Sequence, residues 1–178
     1  MVDVCSIVLS LARNMAVGGG VAVGIAGCAP TPPATPAFYR DLGGPSQTVD
    51  ARAAVSMING YRANHGLEPL QIDPALMRVA EEQAAMMADK NDVNLSLART
   101  RKVSARLDAA GYPHEAAAEN VSAGYRTLAE AFSGWRDSKP HNAVMLKADV
   151  TRMGIATGYT PRSKYKVFWS LVVAKPKG

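Results

Sequence analysis

Met153-Gly-Ile-Ala-Thr-Gly-Tyr159 and Tyr165-Lys-Val-Phe-Trp-Ser-Leu-Val-Val-Ala174 are rich in β-branched and aromatic residues, and a turn at 160–163 separates them. The pair reads as two strands. The body of the chain before it reads as helices first. Residues 49–65 predict a first helix, with Ala54, Ile58 and Tyr61 on one face and Gly66 as the stop. A second helix starts at Asp73-Pro74, an N-cap followed by proline at the first helical position. Leu76, Val79, Ala80, Gln83 and Met87 form its stripe, which runs to about Lys90, with Met86 and Met87 as gap-filling core. Residues 101–110 predict a third helix ending at Gly111. Thr127-Leu-Ala-Glu130 is a capping box, followed by Leu128, Phe132 and Trp135 as the buried face of a helix to about Asp137. Another short helix is expected after Pro140. Helices flanking a sheet require a layered α/β (α+β) packing.

The chain has 178 residues, 48% apolar and 20% charged. That suits one domain with a sizeable core and excludes a multidomain machine or a disordered chain. A mean hydropathy of -0.04 excludes a polytopic membrane protein and leaves room for one anchor. The net charge of +5 is unevenly placed. Residues 1–98 hold 6 Lys+Arg against 9 Asp+Glu, net −3, and residues 99–178 hold 14 against 6, net +8. A basic half points to nucleic acid, anionic lipid or another acidic surface.

Both cysteines, Cys5 and Cys28, lie near the N-terminus, so the body of the chain has no thiol for a disulfide, a zinc thiolate site or a nucleophile. Residues 15–27 are apolar and uncharged and follow Arg13, as in the hydrophobic region of an export signal. Their end, Ile25-Ala26-Gly27-Cys28, resembles a bacterial lipobox. The resemblance implies cleavage before Cys28 and acylation (diacylglycerol, palmitate-type chains) of its thiol. Asp3 and a lone Arg13 depart from a strongly positive n-region, and a plain anchor helix or an ordinary cleaved signal is the alternative. After Cys28, Pro30, Pro32, Pro33 and Pro36 favour an extended spacer. The expected organisation is a signal peptide at 1–27, a lipidated cysteine and proline-rich spacer at 28–46, and one domain at 47–176. Ala29 rather than Asp after the cysteine resembles the sorting pattern for the outer membrane, facing the periplasm.

A series of short motifs runs through the body in order. It begins with Asn59-Gly-Tyr-Arg62, Gly66, Leu67 and Leu70, followed by Ala118-Glu-Asn-Val-Ser-Ala-Gly124. Trp135-Arg-Asp-Ser138, Pro140-His141, Met145-Leu146, Arg152-Met-Gly-Ile-Ala156 and Phe168-Trp169 continue it. Together, from about Ile58 to Trp169, they resemble the CAP superfamily (the SCP domain) in its compact bacterial form. The resemblance implies a three-layer α–β–α sandwich with a central antiparallel sheet and a cleft on one side.

It also implies a cleft built around two histidines and acidic partners, able to hold a zinc-like ion or to act as an acid/base pair. Carried over residue by residue, Glu119 matches the carboxylate and His141 the second histidine. Asn94 or Leu95 stands where the first histidine would, and Ser138 near the second acidic residue. One histidine and one carboxylate give only two ligands, so a zinc site is incomplete. His65 reads as support for the Gly66 cap, and His114 as a loop residue after Gly111. Glu119 and His141 then have three readings: a hydrogen-bonded pair stitching the cleft walls, a ligand site, or a catalytic site.

There is no Gly-x-Ser-x-Gly elbow, no His-Glu-x-x-His and no phosphate-binding glycine loop. The sequence therefore leans away from an enzyme. The expectation is a monomeric, non-catalytic envelope lipoprotein, held at the membrane by Cys28, whose domain binds a lipid, glycan or envelope protein. The alternative is a metal-assisted periplasmic hydrolase using His141 and Glu119. Export argues against nucleic acid. Arg99, Arg101, Lys102 and Arg106, and Arg162, Lys164 and Lys166, read as solvated charge or as contacts to an anionic lipid surface.

Overall fold

In the computed structural model, which describes residues 34–98 and 102–178, two aspartates open the first long helices. Asp50 caps α1 (Ala51–Ala63) by accepting from the Arg52 and Ala53 amides, and Asp73 caps α2 (Pro74–Lys90) through the Ala75 and Leu76 amides. Side-chain acceptors of this kind satisfy amides that the helix itself leaves free. Gly66 ends the first helical region at φ 68°, where a side chain would be strained. The remaining elements are β1 (Gln71–Ile72), a 3-10 turn (Val93–Leu97), α3 (Val103–Ala109) and β2 (His114–Ala123), then α4 (Leu128–Asp137), α5 (Lys139–Met145), β3 (Arg152–Tyr159) and β4 (Val167–Pro176).

The sheet has the order β1-β3-β4-β2. The three long strands pair antiparallel, as expected, and β3 joins β4 from Arg152 opposite Ala174 to Tyr159 opposite Val167. The edge differs, since β1 pairs with β3 in parallel over two residues. That pairing sets the chain just before the Asp73 cap, with the Asp73 amide donating to the Met153 carbonyl. Strand β2 was not expected, and His114 therefore starts a strand rather than lying in a loop. Ala116, Ala117 and Ala118 favour helix locally, but β4 offers a continuous ladder of backbone partners from Ala116 to Ala123, and tertiary pairing outweighs the propensity.

Alternation along the strands builds the three layers. Met153, Ile155, Trp169, Leu171 and Val173 pack on one side with Ile58 of α1, Trp135 of α4 and Met145 of α5. Ala156, Val172 and Ala174 face the other side, against Leu76, Val79, Ala80 and Ala84 of α2 and Leu107 of α3. Trp135 and Trp169 meet edge to face, their centroids 6.0 Å apart, and their indoles donate to Ser122 Oγ and the Tyr125 carbonyl. On α1 the fully buried positions are Ala54, Ile58 and Arg62; Tyr61, expected on the core face, is only partly buried. Packing begins before residue 47, because Leu42 is buried and Phe38 lies against the same core.

Cys28, the expected signal segment and the first spacer residues lie outside the described residues, as do residues 99–101. No helix of the described residues is long and apolar enough to cross a membrane.

Candidate functional site

Glu119 stands mid-way along β2, and its side chain turns toward α2 and α3. There its Oε1 is ion-paired with the Arg106 guanidinium, the two side chains being 7% and 13% exposed. Ser170 Oγ of β4 donates to the same oxygen at 3.4 Å, and Arg106 also donates to the Val79 carbonyl of α2. Burial pushes the Glu119 carboxyl above its ordinary value, while the Arg106 charge and hydrogen bond oppose that rise. Gln83, one turn beyond Val79 on α2, is fully buried, and neither polar atom of its amide has a partner among the described residues.

Asn120, the next residue, faces the opposite side of the sheet, as strand alternation requires. It is buried, and its Nδ2 donates to the His141 carbonyl at 2.9 Å. The imidazole of His141 lies with Nδ1 2.9 Å from Ser138 Oγ, at the junction where α4 gives way to α5. Ser138 and His141 are thus brought together. Glu119 is held by Arg106 and Ser170 on the other face of the strand. Asn94 is exposed in the 3-10 turn, where its amide donates to Asp92 Oδ1. Its neighbours Val93 and Leu95 pack onto Met87, Ala88 and Phe168.

The remaining histidines have local roles. His65 Nδ1 is 2.9 Å from the Tyr61 carbonyl at the end of the first helical region, and His114 Nδ1 is 3.1 Å from the Tyr112 carbonyl. A zinc ion takes three or four protein ligands. Among the described residues no three His, Cys, Asp or Glu side chains converge, and the Glu119 carboxylate already faces a cation of the protein itself. The residues present do not fit zinc at this position.

Sequence reasoning missed Arg62 as a buried hub. Its Nε donates to the Glu68 carbonyl, and its Nη1 to the carbonyls of Met145 and Lys147. It ties the α1 loop to the end of α5. Asn59, one turn earlier, exchanges two hydrogen bonds with the backbone of Leu70. The signal was present in Asn59-Gly-Tyr-Arg62, whose polar members fall one helical turn apart, one of them on the face with Ile58.

Against known proteins, the model of the cysteine-rich secretory protein family, CAP, matches residues 55–173. The chain belongs to the CAP family. This CAP domain is 28% identical over 104 residues to the uncharacterized protein YkwD of Bacillus subtilis, covering 58% of this chain and 40% of that protein. It is 26% identical over 109 residues to the uncharacterized membrane protein YlbC of the same organism, covering 61% of this chain and 32% of that one. The chain therefore matches less than half the length of these curated relatives. Among solved structures, an outer surface protein of Borrelia burgdorferi aligns with a TM-score of 0.63 at 20% identity, covering 73% of this chain and 98% of that one. An extracellular protein with an SCP domain from Bacillus anthracis aligns at 0.60 and 22%, covering 70% of this chain and 39% of that one. These likenesses carry the fold, and the mixed architecture of the CAP domain agrees with them.

Proposed function

We propose that the protein is an extracytoplasmic CAP-domain lipoprotein, tethered through Cys28 and acting by binding rather than by catalysis. One observation carries the binding reading. Glu119 and His141, the two residues that the family motifs single out, lie on opposite sides of the sheet, His141 being reached from β2 through Asn120. Each is engaged by a neighbour of its own, Arg106 for Glu119 and Ser138 for His141. An acid/base pair needs both groups within reach of one reacting atom. Glu119 instead fastens α3 to the sheet, and Asn120 fastens α5 through the His141 carbonyl; the ligand contacts fall to the surface around them. The tether reading is supported by Ile25-Ala26-Gly27-Cys28 and the prolines after it. An extracytoplasmic location agrees with the extracellular and outer-surface proteins that share the fold. A lipid, a glycan or an envelope protein is the class of ligand.

Fractionation tests the tether. Wild type should sediment with membranes and carry fatty acid, whereas Cys28→Ser should remain unmodified by lipid. Cys28→Ser labelling with palmitate as well as wild type does would end the lipoprotein reading.

A further inference from the structure

Three large apolar side chains stand exposed among the described residues: Tyr39 at 59%, Leu97 at 74% and Tyr165 at 41%. Leu97 and Tyr165 sit at one end of the domain, where β2 and β3 finish and β4 begins, and Tyr39 lies on the α4 layer beside it. Tyr165 lies in the β3–β4 connection, with its ring 6.4 Å from Phe168 and at the edge of Gly124, just past the end of β2. Leu97 closes the 3-10 turn whose Val93 and Leu95 pack on the same Phe168. Tyr39 lines a groove with Thr127, Glu130 and Ser133 along the first two turns of α4, which start just beyond Tyr125.

The same end is basic at its tip. Arg162, Lys164 and Lys166 all belong to the β3–β4 connection. Arg162 lies 3.7 Å from Asp89, which also pairs with Lys90, and Arg126 is paired with Asp41. Lys164 lies over the Tyr165 ring at 5.0 Å, and Lys166 donates to the Pro161 carbonyl. Among the described residues neither lysine is within ion-pair distance of a carboxylate. Amphipathic Tyr and apolar Leu side chains beside lysines that lack a carboxylate partner suit the headgroup layer of a bilayer.

The short tether favours a bilayer over a soluble acidic partner. The described chain starts at Ala34, and the Leu42 amide is held by the Arg126 carbonyl, two residues past Gly124. The entering segment first packs Phe38 on the core beside α1 and reaches the end that carries Tyr165 by Leu42. Cys28 precedes Ala34 by six residues, which span at most about 22 Å.

We propose that this end, with Tyr39, Leu97, Lys164 and Tyr165 at its surface, docks on the anionic phospholipid surface of the membrane that holds the tether. The inference rests on the tether reading above. Tethering keeps the end near the bilayer, and each lysine adds attraction to anionic headgroups that salt screens. The opposite end of β4, with Lys175 paired to Glu115, then faces away from the membrane and is free for a ligand or partner.

The test uses the full lipidated chain added to preformed vesicles of phosphatidylcholine, with or without phosphatidylglycerol. The rate at which Lys164 reacts with a membrane-impermeant amine reagent is read by mass spectrometry, with Lys175 as the internal reference. Phosphatidylglycerol should slow Lys164 labelling about fivefold and leave Lys175 unchanged. Salt at about 1 M, where the Debye length is about 3 Å, should abolish the difference. Equal labelling of Lys164 on both vesicles, with the protein floating alongside them, would overturn the docking face and spare the tether. A chain that does not float with either vesicle, or a Cys28→Ser variant that floats as well on phosphatidylcholine alone, would overturn the tether reading and this inference with it.

Discussion

Arg106 and Glu119, thirteen residues apart in the chain, form an ion pair closed off between α3 and the sheet, 13% and 7% exposed. Together with buried Leu107, the pair keeps a helix of seven residues, too short to stand alone, docked on the sheet. Removing one partner of a buried pair leaves an uncompensated charge, which costs about 3–5 kcal/mol, whereas replacing both with apolar groups of similar volume is close to neutral. Glu119→Ala and Arg106→Ala should each lower the unfolding free energy read from urea denaturation by an amount in that range. The double variant Arg106→Met/Glu119→Leu should recover most of the loss. Single variants of near-wild-type stability would show that the pair is not a fastener.

Gly154 and Gly158 bring α2 against β3. A Cβ on Gly154 would fall on the backbone of Leu76, and one on Gly158 on the Ala84 carbonyl. Helix backbone cannot give way as a flexible side chain would, so either alanine must push the two layers apart. Overpacking of this kind costs about 1–3 kcal/mol, occasionally more. Gly154→Ala and Gly158→Ala should fall at or above the top of that range. The control is Gly60→Ala on α1, where a Cβ meets nothing and helix propensity improves; it should be neutral or stabilising. Thermal unfolding of the three proteins compares them directly.

Tyr112 donates its hydroxyl to Asp73 Oδ2 at 2.9 Å, and burial, followed by the Asp73 contact, pushes its pKa up to about 12. The folded value lies above the ordinary 10.0, so the folded state holds the proton more tightly than the unfolded state. Stability from this group is complete below pH 10 and is lost as the pH rises toward 12. A two-unit shift corresponds to about 2.7 kcal/mol, and partial exposure of the ring reduces that to about 1 kcal/mol. Urea unfolding from pH 9 to 12 should therefore show a steeper decline for wild type than for Tyr112→Phe. Parallel declines would remove the linkage.

Arg62 is fully buried and holds the carbonyls of Glu68, Met145 and Lys147. Burial lowers its pKa from the ordinary value, yet a guanidinium stays charged. Its loss strands three carbonyls and opens a cavity, so Arg62→Ala should cost about 3 kcal/mol or more. Arg62→Lys should recover little, because a single ammonium cannot reproduce the planar fork that reaches three acceptors. Chemical denaturation of the two variants measures both effects, and a fully stable Arg62→Lys would refute the hub.

Local code was sufficient wherever an element carries its own start and stop. Asp73-Pro74 set the start of α2, Thr127 and Glu130 the start of α4, and Gly66 the end of the first helical region. The apolar stripes placed Leu76, Val79, Met87 and Trp135 in the core, and the order of motifs from Asn59 to Trp169 led to the family. These features depend on contacts within a few residues, or on residue identities alone, so they are legible in one dimension.

Tertiary structure decided the rest. Strand β2 exists because β4 supplies its hydrogen bonds, against the helical preference of its three alanines. That pairing then fixed which way each site residue turns. Glu119 went to Arg106 on one face, and Asn120 reached toward His141 on the other. Arg62 is buried among carbonyls contributed by residues up to 85 positions away, a distance that no local pattern encodes. The sequence by itself determined the family, the main helices and the motif residues to be placed. Which of those residues meet was decided by strand register, because neighbours on a strand point to opposite faces and the register depends on the whole sheet.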